Sequence, residues 1–344
     1  MTSVATIRDI AKLAKVSAST VSRVINDDPR ISEKTKKKVK KIIEEMHYIP
    51  NSMAKQLVMK TSFSIGFLFN SHINSLPLDY YFYNMIGGLQ SVIFSNNYEL
   101  TICDFSYLKP SENLLERFVY NKRVDGVVLH SSLVNSEIIQ RLNEIQFPYV
   151  VIGNSNLDFC STWVDIDNNF AGKLACKHML DRGYKKIAFI GGTTTETVSN
   201  QRIEGYKSQL KSSKMPVFPE YIMHGMGTDE DGYQCMKKLL QLDSMPDAVI
   251  CINDYTAYGV IKALKETNLK LPEEVGIITF DNFPLAPYMT PSLTSIDIDT
   301  FKLGERAGEL IMEKVKGDKF DKHERISPGI IIRDSTARDK NSDL

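Results

Sequence analysis

Cysteine is sparse and scattered. The five thiols, at 103, 160, 176, 235 and 251, form no C-x-x-C pair and have no histidine at zinc-ligand spacing, which argues against a structural zinc and fits a reducing compartment. No amino-terminal apolar run has the pattern of a signal peptide, and no apolar stretch of about 18 residues is long enough to span a bilayer. The expectation is a soluble, cytoplasmic protein. The sequence has no G-x-x-x-x-G-K-[ST] loop and no G-x-S-x-G elbow. Phe189-Ile-Gly-Gly-Thr-Thr-Thr195 comes directly after a strand pattern and could cradle phosphate, but it lacks the G-x-G-x-x-G order. The carboxylates at strand ends have no evident partner base or metal cluster, so the chain is read as a binding protein without catalysis or cofactor.

Net charge is also missing, but only as an average. Lys+Arg and Asp+Glu both number 42 over 344 residues. Residues 1–60 carry 13 basic against 6 acidic side chains, net +7, and the remainder is net −7. A basic end on an otherwise acidic chain points to a nucleic-acid contact at that end. The run Lys34, Lys36, Lys37, Lys38, Lys40 and Lys41 is read as a solvated helix face that also attracts DNA at long range. The 42% apolar content is ample for a core, and the length suggests two or three domains.

Three apolar stripes at helical spacing open the chain: Ile7, Ile10, Ala11 and Ala14, then Val21, Val24 and Ile25, then Val39, Ile42, Ile43 and Met46. Lys15-Val16-Ser17 makes a tight turn between the first two, with Ser17 as N-cap of the second. The pattern is that of a helix-turn-helix headpiece. The second helix would show Ala18, Ser19, Ser22 and Arg23 opposite the buried valines. These are short polar side chains beside one bidentate donor, suited to phosphates and a guanine edge.

From Ser62 short apolar runs alternate with amphipathic stretches. Strands are read at Phe63–Phe69, Tyr98–Cys103, Gly126–Leu129 and Tyr149–Ile152, then at Lys186–Gly191, Tyr221–Met223, Ala248–Ile252 and Val275–Phe280. Helices fall between them, including Tyr80–Asn96, Phe170–Arg182, Ile203–Ser212, Tyr233–Leu242 and Thr256–Thr267. Two such series imply two α/β lobes with parallel sheets. Ligands of such sheets sit at the carboxyl ends of the strands.

The string Ala5-Thr-Ile-Arg-Asp-Ile-Ala-Lys-Leu-Ala-Lys-Val-Ser-Ala-Ser-Thr-Val-Ser-Arg-Val-Ile-Asn26 closely resembles the headpiece of the lactose-repressor (LacI/GalR) family of bacterial transcription regulators. The likeness continues through His47-Tyr48-Ile49-Pro50-Asn51 to Ile330-Ile-Ile-Arg-Asp-Ser-Thr336. It implies an all-α headpiece over residues 1–50, a hinge helix or linker over 51–61, and a core over 62–344 built from two Rossmann-like lobes, as in periplasmic sugar-binding proteins. Three interlobe crossings are expected, near Phe159–Trp163, Thr290–Ser295 and Phe320–Arg325. Lobe 1 would then hold about 62–161 and 294–322, and lobe 2 about 162–293 and 323–344.

For DNA the resemblance implies a homodimer on a pseudo-palindromic operator. Arg23 would make the most specific base contact, with Ala18 and Ser19 beside it. Thr6, Thr20 and Ser22 would hold phosphates and Arg8 a phosphate or base, with Ser17 and Asn26 also among the DNA-binding residues. In the hinge, Asn51, Ala54, Lys55 and the wedge residue Leu57 would enter the minor groove. For the effector it narrows the strand ends to Tyr81, Phe82, His130, Arg202, Asn253 and Asp281.

Alternatives stay open. Asp254 and Asp281 could simply cap the helices or turns after their strands, Arg202 could be an interlobe salt bridge, and Trp163 could fill a crossover gap. His224-Gly-Met-Gly227 and Gly153-Asn154 depart from the family pattern, and the loss of bulk and charge suggests a pocket opened for a disaccharide. The expected function is sugar-controlled repression of carbohydrate-utilisation genes. The alternatives are a catabolite-control regulator modulated by a phosphorylated carrier protein, and a sugar- or purine-responsive regulator of another pathway.

Overall fold

The structure is a computed structural model that describes residues 5–48, 56, 59–71, 80–107, 113–153 and 162–338. It divides into two units, residues 1–62 and 63–344.

The first unit holds α1 (Ile7–Ala14), α2 (Ala18–Ile25) and α3 (Glu33–Glu45). Ile10, Ala11, Ala14, Val21, Val24 and Val39 are buried together, with Ile7, Ile25, Ile42, Ile43 and Met46 packed against them. These are the three stripes read from the sequence. Each helix opens on a hydroxyl cap, Thr6, Ser17 and Ser32, which satisfies amide donors left over in the first turn.

The basic run of α3 is not one solvated face. Lys36 is buried and pairs with Asp27 at 3.1 Å and Glu33 at 3.4 Å. Lys38 donates to the Ala14 carbonyl at 2.8 Å, capping the carboxyl end of α1. These ammonium groups hold the three helices together, while Lys34 and Lys37 stay exposed.

The second unit comprises two six-stranded sheets. Its elements are β1 (Ser64–Phe69), α4 (Tyr80–Ser95), β2 (Glu99–Asp104), β3 (Gly126–His130), α5 (Ser136–Glu144), β4 (Tyr149–Ile152), β5 (Thr162–Ile166), α6 (Asn168–Asp181), β6 (Ile187–Gly191), α7 (Thr197–Ser212), β7 (Ile222–His224), α8 (Asp229–Leu239), β8 (Ala248–Cys251), α9 (Asp254–Lys265), β9 (Gly276–Phe280), β10 (Thr294–Asp297), α10 (Thr300–Val315), β11 (Lys322–Ile326) and β12 (Gly329–Ile331). Sheet order is β11-β5-β4-β3-β1-β2 in lobe 1 and β12-β10-β9-β8-β6-β7 in lobe 2. Among the described residues all pairings are parallel except β10 with β12. The central strands are buried, apart from the partly exposed His130 that ends β3, as helices on both faces require.

Three crossings join the lobes, each a few residues later than expected. β5 belongs to the lobe 1 sheet, so the first crossing is at Asp167 rather than Phe159–Trp163. β10 remains in lobe 2, which moves the second from Thr290–Ser295 to Ile298–Asp299. β11 still pairs with β5, which moves the third past Ile326. The expected boundaries at 161/162, 293/294 and 322/323 therefore cut through or before strands that complete their own sheets. The reason is composition: β5 (Thr-Trp-Val-Asp-Ile), β10 (Thr-Ser-Ile-Asp) and β11 (Lys-His-Glu-Arg-Ile) carry polar residues and give no apolar run.

Paired glycines bring helices into backbone contact. A Cβ on Gly88 of α4 would collide with the Phe301 carbonyl, and one on Gly304 of α10 with the Met85 carbonyl. Gly172 of α6 and Gly205 of α7 face the carbonyls of Arg202 and Asn169 in the same way. Such contacts admit weak Cα–H···O bonds and fix helix separation. The Gly172 contact fixes α7 at Arg202, whose side chain reaches the cleft.

Candidate functional site

In the headpiece the exposed face of α2 carries Ala18, Ser19 and Arg23, with Ser22 and Thr20 partly covered. The Thr20 amide donates to Ser17 Oγ at 3.1 Å, and Ser17 Oγ also lies 2.7 Å from Ser19 Oγ and 2.9 Å from Thr20 Oγ1. Thr6 Oγ1 donates to Asp9 Oδ2 at 2.6 Å in a capping box. These hydroxyls are thus oriented before any ligand arrives. Arg8 and Arg23 are exposed, and their side chains make no hydrogen bond among the described residues. Asn26 is the C-cap of α2. Asn51, Ala54, Lys55 and Leu57, expected in the hinge, lie outside the described residues.

In the core, all six expected effector residues line one cavity. It has a volume of about 220 Å³, and Tyr81, Phe82 and His130 of lobe 1 face Arg202, Asn253 and Asp281 of lobe 2 across it. The strand-end rule holds, since β3, β8 and β9 each deliver a residue at or just past the carboxyl end. A larger hollow of about 660 Å³, lined by Phe147, Tyr149, Lys314 and His323, lies at the amino ends of β4 and β11 and is open to solvent.

Arg202 is 4% exposed and held on four sides. Its Nε donates to Asn168 Oδ1 at 3.0 Å and its Nη1 to the Ile252 carbonyl at 2.8 Å. Nη2 stands 4.0 Å from Asp281 Oδ1, and the guanidinium lies 4.2 Å from the Phe280 ring centroid. All these partners are in lobe 2, so Arg202 is not an interlobe salt bridge. Burial pulls its pKa down, against the attraction of Asp281. Asn168, whose Nδ2 donates to the Ile166 carbonyl at 3.2 Å, ties this network to the end of β5 in lobe 1.

Asp281 comes just after β9 with a φ of 83°, a left-handed backbone that non-glycine residues seldom adopt. His130 accepts the Ser132 amide on Nδ1 at 3.2 Å. The neutral ring therefore keeps its proton on Nε2, and burial holds its pKa down at about 4. Its ring sits 5.2 Å from Phe82, which in turn lies 5.1 Å from Phe69.

Asn253 has a structural duty as well. It is the N-cap of α9, its Oδ1 accepts the Thr256 amide at 2.8 Å, and its Nδ2 donates to the Gly227 carbonyl at 2.9 Å. Asp254 is fully buried and does not line the cavity. Its Oδ2 accepts the Phe283 amide at 2.9 Å, which anchors the loop after β9 to α9. Its Oδ1 meets no hydrogen-bond partner among the described residues, and burial, with Asp281 adding to it, pushes the carboxyl up to about 8.

Sequence reasoning missed Asp165, Ile166, Asn168, Ile252 and Ile298, which also line the cavity, as do Glu196 and Val198 from the stretch Gly191–Arg202 that the strand-end rule picks out. Asp165 and Ile298 sit at crossings that the sequence pattern places too early. The departures from the family pattern lie away from the cavity where they are described. His224 Nδ1 bonds the Gly192 carbonyl at 3.0 Å, and neither His224–Gly227 nor Gly153 lines the cavity; Asn154 lies outside the described residues. A volume of about 220 Å³ is also below the ~300 Å³ at which small-molecule sites usually begin. Trp163 stands away from the cleft, stacked on His323 at 5.0 Å.

Comparison with known proteins adds independent findings. The model of "bacterial regulatory proteins, lacI family" matches residues 6–51, and that of "periplasmic binding protein-like domain" matches residues 176–336. The HTH-type transcriptional repressor PurR of Pasteurella multocida is 33% identical over 335 residues, covering 96% of this chain and 98% of the relative. Its namesake from Vibrio vulnificus is 30% identical over 336 residues, covering 97% and 99%. Among solved structures, a LacI-family regulatory protein from Chloroflexus aggregans superposes with a TM-score of 0.74 at 28% identity, over 80% of this chain and 98% of that one. The lac repressor dimer bound to operator and the anti-inducer ONPF gives 0.82 at 21% identity, over 97% and 99%, and shares the fold.

Proposed function

Since the chain belongs to the lacI family of bacterial regulatory proteins, we propose that this DNA-binding transcriptional repressor is controlled by a small sugar of about one ring, bound between the lobes of its core. The observation that carries the reading is the convergence of Tyr81, Phe82, His130, Arg202, Asn253 and Asp281 on one cavity. Donor and acceptor side chains stand there beside aromatic rings, the inventory that sugar hydroxyls need. Carbohydrate-utilisation genes are the natural target of such a regulator. A purine is the second reading, favoured by the Tyr81 and Phe82 rings, set edge to face, across the cavity from Arg202 and Asp281.

The protein works as a homodimer in the cytoplasm on a pseudo-palindromic operator, each α2 reading one half-site. Effector and operator are linked through one coupling free energy, so each changes the other's affinity by the same factor. A thermal-shift panel of ribose, galactose, maltose, sucrose, trehalose, raffinose and purines tests the effector. A ligand at 100 times its Kd stabilises by about 2.7 kcal/mol. A monosaccharide hit that also changes operator binding is the expected result, and a purine hit would replace the sugar reading.

Arg23→Ala tests the headpiece. It is expected to cost roughly 1–3 kcal/mol of operator binding and to relax preference at one base pair. A uniform loss over all sequences would instead make Arg23 a phosphate contact.

A further inference from the structure

We infer that Tyr80 is a positioning residue for the effector: with Phe283 it forms a ring latch that joins the two lobes beside the cleft and slows the escape of whatever is bound there. The inference rests on the cleft being the effector site.

Tyr80 opens α4 in lobe 1, and Phe283 follows β9 in lobe 2. Their rings meet with centroids 5.4 Å apart and planes at 68°, the edge-to-face arrangement that aromatic pairs prefer. Each stands next to a cleft residue in the chain, Tyr80 beside Tyr81 and Phe283 two positions after Asp281, yet neither lines the cavity itself. Neither belongs to a crossing segment, so no covalent link keeps the rings together. They part when the lobes part. Opening the cleft therefore breaks this contact and returns the covered part of both rings to water.

The two halves of the latch are built differently. Phe283 is 6% exposed, and its loop is fixed within lobe 2. Its amide donates to Asp254 Oδ2 at 2.9 Å, and its ring meets Tyr255 edge to face at 5.4 Å. The preceding Asn282 accepts Arg333 Nη2 on Oδ1 at 2.8 Å. Asp281 and Asn282 hold left-handed φ values of 83° and 56°, a strain that persists only where the surroundings over-determine the backbone. One rigid turn thus presents Asp281 to the effector and Phe283 to lobe 1. Tyr80, 38% exposed at the amino end of α4, is the half that comes and goes with lobe 1. An effector held by Asp281 and a lobe held by Phe283 are gripped by the same loop. Because the ring contact exists only in the shut cleft, it acts on release without touching the effector, and the dissociation rate is where it shows.

The test uses the whole protein, wild type and the variants Tyr80→Ala and Tyr80→Phe, with ribose, galactose, maltose, adenine and guanine as probes in stopped-flow dissociation. For each probe that binds wild type, Tyr80→Ala is expected to speed dissociation about tenfold, the weight of one desolvated ring pair, while Tyr80→Phe keeps the rate within about twofold of wild type. Melting curves without any probe, on Tyr80→Ala, Phe283→Leu and the double variant, read the contact itself. The double variant is expected to lose less than the sum of the two single losses. Additive losses overturn the inference. An unchanged dissociation rate in Tyr80→Ala overturns the latch and leaves the cleft as the effector site, and equal acceleration in Tyr80→Phe removes the ring pair as the cause. Binding by none of the probes overturns the cleft reading, and this inference with it.

Discussion

Replacing Arg202 by alanine is expected to weaken effector binding at least 100-fold, about 2.7 kcal/mol, and to leave operator binding unresponsive to the effector. The reason lies in what the guanidinium holds. It fills the hydrogen-bonding needs of Asn168 and the Ile252 carbonyl and lies against Asp281 and the Phe280 ring. Truncation leaves buried acceptors unpaired and Asp281 without its counter-charge, so a stability loss of about 2–4 kcal/mol should accompany the loss of binding. Lysine should not restore either, because one ammonium cannot reproduce a fork that bonds two acceptors while stacking on a ring. Titration calorimetry and thermal melting of the two variants, with operator binding measured beside them, make the check. Unchanged effector affinity in Arg202→Ala would remove it from the site.

Asp254→Asn is expected to stabilise the protein at pH 8, on the order of 3 kcal/mol, with the gain vanishing near pH 4. Burial, helped by Asp281, raises this carboxyl from 3.8 to about 8. Between those values the folded state keeps a proton that the unfolded state has released, so wild-type stability falls as pH rises through this window. An asparagine keeps an acceptor for the Phe283 amide and carries no ionisation to suppress. His178 acts in the opposite sense. It is buried, bonds Thr336 Oγ1 at 2.8 Å through Nε2, and is held down at about 4 chiefly by burial. Below pH 6.5 the unfolded histidine takes up a proton that the folded one refuses, so stability falls with acid. Because His178 is common to both proteins, the difference between their denaturation profiles isolates Asp254. A flat difference from pH 4 to 8 would show that Asp254 is ionised in the folded protein.

Much of the fold is legible in the residues. The headpiece can be read stripe by stripe because its burial is amphipathic and its caps are hydroxyls, two patterns that local sequence displays. The central strands are visible because burial on both faces leaves unbroken apolar runs. β5, β10 and β11 are not, since strands rich in Asp, Ser, Lys and Glu resemble loops when read alone. The helix starts fail for a related cause. Asn168, Thr197, Asp229 and Asp254 open their helices with polar first turns, so periodic apolar spacing begins only a turn later. That error puts Arg202 in a loop rather than on its helix. The six cleft residues are neighbours all the same, because strand ends converge whatever the helix boundaries are. What the sequence does not display is commitment: that Asn253 spends its amide on a cap, that Lys36 and Lys38 hold helices, and that Asp254 keeps its proton.

The three crossings have a consequence for how the chain is made. The lobe 1 sheet is incomplete until β11 is added at residues 322–326, and lobe 2 until β12 at 329–331. A ribosome therefore releases nearly the whole polypeptide before either lobe can close its sheet. The headpiece, contiguous within residues 1–62, is the one unit whose residues have all emerged early. A nascent repressor thus has its complete DNA-reading segment long before the module that governs it. A messenger cut short ahead of the codons for β11 would yield two unfinished lobes rather than one damaged lobe.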